Sequence, residues 1–168
     1  FQAYNMKIAS MSFLLQNSDD PIIWRDAYKY EFINQLLGGV EWQDLNFLLI
    51  DLPPGTGNES VTTIDLLGGV SGAVIITTPQ EVAMQDVRRA VAMWEKVRVP
   101  MFGVVENMSY FVTPNNERLE IFGHGGGKAE AERLKLNFLG EIPLYTQIRI
   151  GGDLGQPVTV SAPKEAPA

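Results

Sequence analysis

Phe47-Leu48-Leu49-Ile50-Asp51-Leu52-Pro53-Pro54-Gly55-Thr56-Gly57 is the stretch whose reading decides the fold. Four apolar residues run into a carboxylate and then into a turn, the pattern of a buried parallel strand whose carboxyl end opens onto a site. Ligands of open α/β sheets collect at that edge. Asp51 in such a place can hold Mg²⁺ and its water beside a nucleotide phosphate; the plainer alternative is a helix cap or turn carboxylate. The Pro-Pro-Gly-Thr-Gly that follows favours the first. Two prolines fix φ and two glycines free it, so a stiff turn can bring backbone N–H groups towards a γ-phosphate.

Upstream of this stretch, residues 7–15 read as a strand ended by the polar run 16–20. Asp20-Pro21 then opens a helix lying within residues 22–37 and stopped by Gly38-Gly39. Downstream, residues 59–67 form a short helix ended by Gly68-Gly69, and residues 71–77 a third strand. Thr78-Pro79-Gln80-Glu81 has the spacing of a capping box, opening a helix that runs to about Arg98. Ala83, Val87, Ala90, Trp94 and Val97 mark its sheet-facing side, and Met84, Met93 and Trp94 read as core. A fourth strand follows at 101–106, then a short loop or hairpin through 113–116, a helix over about 127–135, a fifth strand at 137–142 and a short helix within 147–153. Strands alternating with helices predict a doubly wound, mostly parallel α/β sheet. Residues 1–159 are expected to form one domain, and residues 160–168, rich in Pro and Ala, a flexible tail.

The chain has 168 residues, 45% of them hydrophobic and 20% charged, which suits one globular domain. A formal charge of −7 opposes a general nucleic-acid surface. No apolar run is long enough to span a bilayer and no basic-then-apolar leader is present, so a cytoplasmic protein is expected. There is no cysteine, hence no disulfide and no thiolate ligation of a metal or cluster. The chain opens on Phe1 without a Gly-rich loop, and is expected to be the remainder of a longer protein.

Gly123-His124-Gly125-Gly126-Gly127-Lys128 invites a phosphate-loop reading, but its spacing fails. Such a loop needs glycine six positions before the lysine and Ser or Thr after it; Phe122 and Ala129 stand there. A turn before a helix is the expected structure. His124 is the sole histidine, so no histidine cluster can bind metal.

Five blocks now stand in order: 50–57, Thr77-Thr78-Pro79-Gln80, Val105-Glu106-Asn107-Met108-Ser109-Tyr110, 121–127 and Phe138-Leu139-Gly140-Glu141-Ile142-Pro143-Leu144. Together they resemble the Mrp-type (ApbC or Nbp) iron–sulfur carrier ATPases, relatives of MinD and ParA. The resemblance covers residues 8–158 and implies a P-loop NTPase-like fold. It implies that Asp51 serves catalysis and Mg²⁺, that Pro53, Gly55, Thr56 and Gly57 lie near the phosphates, and that Asn107 hydrogen-bonds the adenine edge while Pro143 walls its pocket. ATP, Mg²⁺ and an iron–sulfur cluster are the implied cofactors. A homodimer passing clusters to apoprotein clients is the implied assembly, with neither nucleic acid nor membrane as partner.

This chain also departs from the family. Where relatives carry Trp-Arg-Gly-Pro it has Trp24-Arg25-Asp26-Ala27, and Tyr145 stands where many have Asp after Ile-Pro-Leu. Thr113 and Asn116 replace the two cysteines of Cys-Pro-x-Cys, and neither supplies soft thiolate ligation. The phosphate-gripping loop and its lysine are missing. The expectation is therefore the carboxyl-terminal part of an Mrp-like carrier that by itself neither hydrolyses ATP nor holds a cluster. A non-catalytic protein-interaction module and a MinD-like or ParA-like positioning fragment are the alternatives. The family's phosphate-loop strand would lie between the strands ending at Asp51 and Thr77, so the gap is expected either to close or to be filled by a second molecule.

Overall fold

A computed structural model describes residues 1–14 and 26–161. These form two compact units, residues 1–70 and the residues from Ser71 onward, and each is described by itself.

The first unit opens with β1 (Gln2–Ala3) and β2 (Met6–Lys7), a two-residue antiparallel hairpin. Its turn residues Tyr4 and Asn5 have φ of 50° and 61°, the left-handed pair that short hairpins use. The strand expected over 7–15 does not form. Met11–Leu14 is a 3-10 turn instead, and Leu15 lies outside the described residues. The local cause is serine chemistry: Ser12 N donates to Ser10 Oγ at 3.2 Å, offering the backbone a turn in place of a ladder.

Helix α1 (Asp26–Gly38) is followed by α2 (Asn58–Leu67), and the two pack together, with Phe32, Ser60 and Thr63 buried. The start expected for α1 near Ile22 lies outside the described residues. Gly68 ends α2 as expected, in the left-handed conformation at φ 68°. Lys29 Nζ meets Glu59 Oε1 at 2.6 Å, joining the two helices.

Residues 47–51, expected as the central strand, enter no sheet among the described residues. Phe47 and Leu49 are 84% and 90% exposed. A strand exists only as half of a ladder, and this segment has no ladder partner.

The second unit carries the parallel sheet. In chain order it comprises β3 (Ala73–Thr77), α3 (Glu81–Lys96), β4 (Met101–Asn107), the hairpin strands β5 (Phe111–Val112) and β6 (Arg118–Leu119), α4 (Gly126–Leu134), β7 (Phe138–Ile142), α5 (Thr146–Asp153) and α6 (Val158–Ser161). Strands β3, β4 and β7 lie side by side in that order, all parallel, and among the described residues the two outer strands β3 and β7 are each paired along one edge. The α/β class with a parallel sheet is thus as expected. Ile75 and Val104 of the sheet are buried with Met84, Val87, Val91 and Trp94 of α3 and Ala131 of α4. Each of the Ile, Val and Met side chains contributes roughly 1.5–3 kcal/mol of transfer free energy.

Two details of α3 differ from the sequence reading. Its buried stripe is Met84-Val87-Val91-Trp94, so Ala83, Ala90 and Val97 are only half-buried. The capping box is not formed: Gln80 is the N-cap with no side-chain cap bond, and Thr78 Oγ1 donates to Gln80 Oε1 at 3.2 Å. Glu81 is occupied elsewhere, paired with Arg88 at 2.8 Å. Helix α6 runs across residue 160, where the tail was expected to begin, and residues 162–168 lie outside the described residues.

Candidate functional site

The carboxyl edge of the parallel sheet is where the second unit gathers polar groups. Asn107 closes β4 and lies opposite Ile142, the last residue of β7, so Asn107 and Pro143 are neighbours across one ladder at one edge. Both are half-buried. Asn107 Oδ1 accepts from Met108 N at 2.9 Å, which fixes the orientation of the side-chain amide. Ser109 N donates to Ile142 O at 3.0 Å and Leu144 N to Tyr110 O at 2.7 Å, so the two strand ends are laced together beyond the sheet.

Beneath this turn lies a group that the sequence reading did not single out. Glu106 is 1% exposed and its carboxylate accepts from the Ser109 hydroxyl and from the backbone N–H of Gly127 in the first turn of α4. A carboxylate at a helix N-terminus is favoured by the unpaired N–H groups and by the helix dipole. The glycine cluster thus receives one of the protein's own carboxylates, in agreement with a structural turn before a helix. A Cβ on Gly127 would stand 3.0 Å from Glu106 Oε2 and 3.1 Å from its Cβ, and one on Gly126 would overlap Pro79 O. The signal was present in the pattern: period two places Glu106 on the same face as buried Val104.

In the first unit, Asp51, Pro53, Gly55, Thr56 and Gly57 are all exposed. Gly55 has φ of 93°, a conformation that favours glycine, and Gly57 is the N-cap of α2. The segment thus bends into the start of α2. Glu59, one turn along, has its carboxyl held below the usual carboxylate range by the hydrogen bond from Lys29.

The hairpin that stands where relatives place Cys-Pro-x-Cys is closed by its own backbone. Thr113 N donates to Glu117 O at 2.9 Å, and Thr113 Oγ1 accepts from Glu117 N at 3.1 Å. Arg118 stacks over Tyr110 at 3.9 Å and binds Glu141 of β7 at 3.0 Å, anchoring the hairpin to the sheet. Thr113 already satisfies the turn, and hydroxyl and amide donors do not fit an iron–sulfur cluster. Among the described residues no group of three or more His, Cys, Asp or Glu side chains is placed to hold a metal ion. Among them, too, no helix is long and apolar enough to cross a membrane.

Over residues 1–168 the chain matches the ParA family described as NUBPL iron-transfer P-loop NTPases. The chain belongs to this family. Among similar NUBPL-family proteins, the iron–sulfur cluster transfer protein NUBPL of Dictyostelium discoideum is 47% identical over 163 residues, 96% of this chain and 50% of that one. The iron–sulfur cluster carrier protein of Pyrococcus abyssi is 44% identical over 160 residues, 95% of this chain and 54% of the relative. A solved structure of a nucleotide-binding protein from Archaeoglobus fulgidus, in complex with ADP, superposes with a TM-score of 0.68 at 39% identity, covering 78% of this chain and 54% of that one. The chain spans about half the length of the curated relatives it matches.

Proposed function

We propose that this chain is the carboxyl-terminal part of an ATP-binding iron–sulfur cluster carrier, and that it supplies the base-reading side and the metal-binding carboxylate of the nucleotide site. One observation carries the reading: Asn107 and Pro143 lie together at the carboxyl edge of a parallel sheet, in a chain matched from end to end by a P-loop NTPase family. Asn107 would hydrogen-bond the adenine edge and Pro143 would wall its pocket. Asp51 would hold Mg²⁺, with Pro53, Gly55, Thr56 and Gly57 beside the γ-phosphate. When bound, Mg²⁺ neutralises charge developing on the transferred phosphoryl group. Residues 1–159 would then be one truncated domain, and residues 160–168 its tail.

The gripping lysine of the phosphate loop belongs to the other half of the intact protein, so this chain alone neither hydrolyses ATP nor retains it. The cluster is cargo. With no thiolate here to bind it, its ligands in the intact protein lie outside this chain or are oxygen and nitrogen atoms. We place the intact protein in the cytoplasm, as a homodimer that delivers clusters to apoproteins.

Calorimetric titration with Mg²⁺–ATP tests the reading. The intact protein should bind, Asp51→Asn should weaken its affinity by about tenfold or more, and this chain alone should give no saturable heat. Tight binding by the isolated chain would overturn it, as would a reading frame without a Gly-Lys-Ser/Thr loop upstream.

A further inference from the structure

We propose that Glu106 is the positioning residue of the base-reading turn, acting on nucleotide affinity through Asn107. This inference rests on the nucleotide-site reading above. Glu106 immediately precedes Asn107, is 1% exposed, and faces inward where the strand is otherwise apolar. Burying a carboxylate without a cation beside it is unfavourable, so its retention needs a structural return. Glu130 shows the ordinary arrangement: equally buried, it is gripped by Arg88 at 2.8 Å and by Arg133. The hydrogen bonds to Glu106 come from neutral donors, the Ser109 hydroxyl and the Gly127 N–H.

Those two donors define what the carboxylate does. Ser109 lies two residues past Asn107 and its own N–H is bound to Ile142 O of β7. Between them Met108 adopts φ of 54°, uncommon for a residue with a side chain, and donates to Asn107 Oδ1. The turn Asn107-Met108-Ser109 is therefore held from below by Glu106, from the side by β7, and internally by the Asn107 amide. Gly127 ties the same carboxylate to the start of α4, and the absence of a Cβ there is what lets the helix approach. Removing the carboxylate frees the turn on its buried side and lets the Asn107 amide wander, while leaving Asn107 chemically intact. The catalytic carboxylate and the phosphate contacts are untouched. The effect should fall on nucleotide affinity and not on the chemical step.

The test uses the intact protein and four variants: Glu106→Gln, Ser109→Ala, Asn107→Ala and the double variant Glu106→Gln/Asn107→Ala. Steady-state ATP hydrolysis, with binding of Mg²⁺–ATP followed by calorimetry, should show KM and Kd for Glu106→Gln raised about tenfold with kcat within about twofold of the parent. Ser109→Ala, which takes away one hydroxyl and is the mildest change, should move Kd in the same direction by about threefold, so it decides the matter should Glu106→Gln not fold. Because Glu106 acts only through Asn107, the double variant should bind no more weakly than Asn107→Ala alone, whereas a general loss of stability would add. Parental Kd in both Glu106→Gln and Ser109→Ala, or effects that multiply in the double variant, would overturn the proposal. Failure of the intact parental protein to bind ATP would overturn the nucleotide-site reading as well. ATP binding that is lost in Glu106→Gln but unaffected in Asn107→Ala would overturn the inference alone.

Discussion

The two units of this chain contain apolar runs of the same kind and treat them differently: one is built into a sheet with a buried face and, among the described residues, the other is not. In the second, Ile75 of β3 and Val104 of β4 are 7% and 0% exposed, while Val74 and Ile76 on the other face of β3 are 46% and 64% exposed; in the first, Phe47 and Leu49 are 84% and 90% exposed. Hydrophobicity does not separate Phe47-Leu48-Leu49-Ile50 from Ala73-Val74-Ile75-Ile76. Partners do: β3 has β4 beside it and α3 packed against it, whereas residues 47–51 pair with no strand among the described residues. An apolar run ending in a carboxylate states what a segment does when neighbours are supplied, and it does not supply them.

The comparison breaks most easily at its largest contrast. Met84→Ala should cost about 2–5 kcal/mol in urea unfolding, because a buried side chain is removed and a cavity left. Leu49→Ala, at an exposed site, should stay within about 0.5 kcal/mol. A Leu49→Ala loss matching that of Met84→Ala would show that residues 47–51 are packed after all.

Two glycines that begin helices sharpen the same contrast. Gly126→Ala places a Cβ against the rigid Pro79 carbonyl and should cost about 1–3 kcal/mol, read by the same unfolding curves. At Gly57→Ala the Cβ meets only the flexible end of Glu59, and the loss should stay below about 1 kcal/mol. Equal losses would mean that the start of α2 is as tightly seated as that of α4.

Carboxylates give the smallest and most specific differences. Arg88 foremost, and then Arg133, hold Glu130 below the ordinary carboxyl value of 4.5, so the folded state favours its ionised form. The stabilisation is complete above pH 4.5 and is lost as pH falls from there through the depressed folded value. Glu130→Gln should therefore flatten the acid side of a melting-temperature profile within that window; an unchanged slope would remove Glu130 as its source. Glu59 is shifted the same way by Lys29, but that pair is partly exposed, and Lys29→Met should cost less than about 1 kcal/mol.

Much of the second unit was legible in its sequence because its signals are local. Pro100 sets the start of β4, Gly72 and Pro79 flank β3, Pro143 stops β7, and the stretch Thr113-Pro114-Asn115-Asn116 lies at a hairpin turn. The strand ends placed Asn107 and Pro143 after β4 and β7, and the family resemblance singled them out; the structure sets them side by side. What escaped depends on competition between partners. Glu81 caps α3 on paper but pairs with Arg88 in space, and Ser10 and Ser12 bond to one another and to the backbone where an apolar run suggested a strand. Glu106 escaped because a charge inside an apolar strand shows its purpose only once Gly127, distant in sequence, is brought to it.

Amide hydrogen exchange at residues 48–51 tests the central claim most directly. In this chain those amides should exchange almost as fast as an unstructured peptide, and under the proposal that the intact protein adds a phosphate-loop strand they should slow there by about a hundredfold or more. Slow exchange in the isolated chain, or fast exchange in the intact protein, would contradict the account.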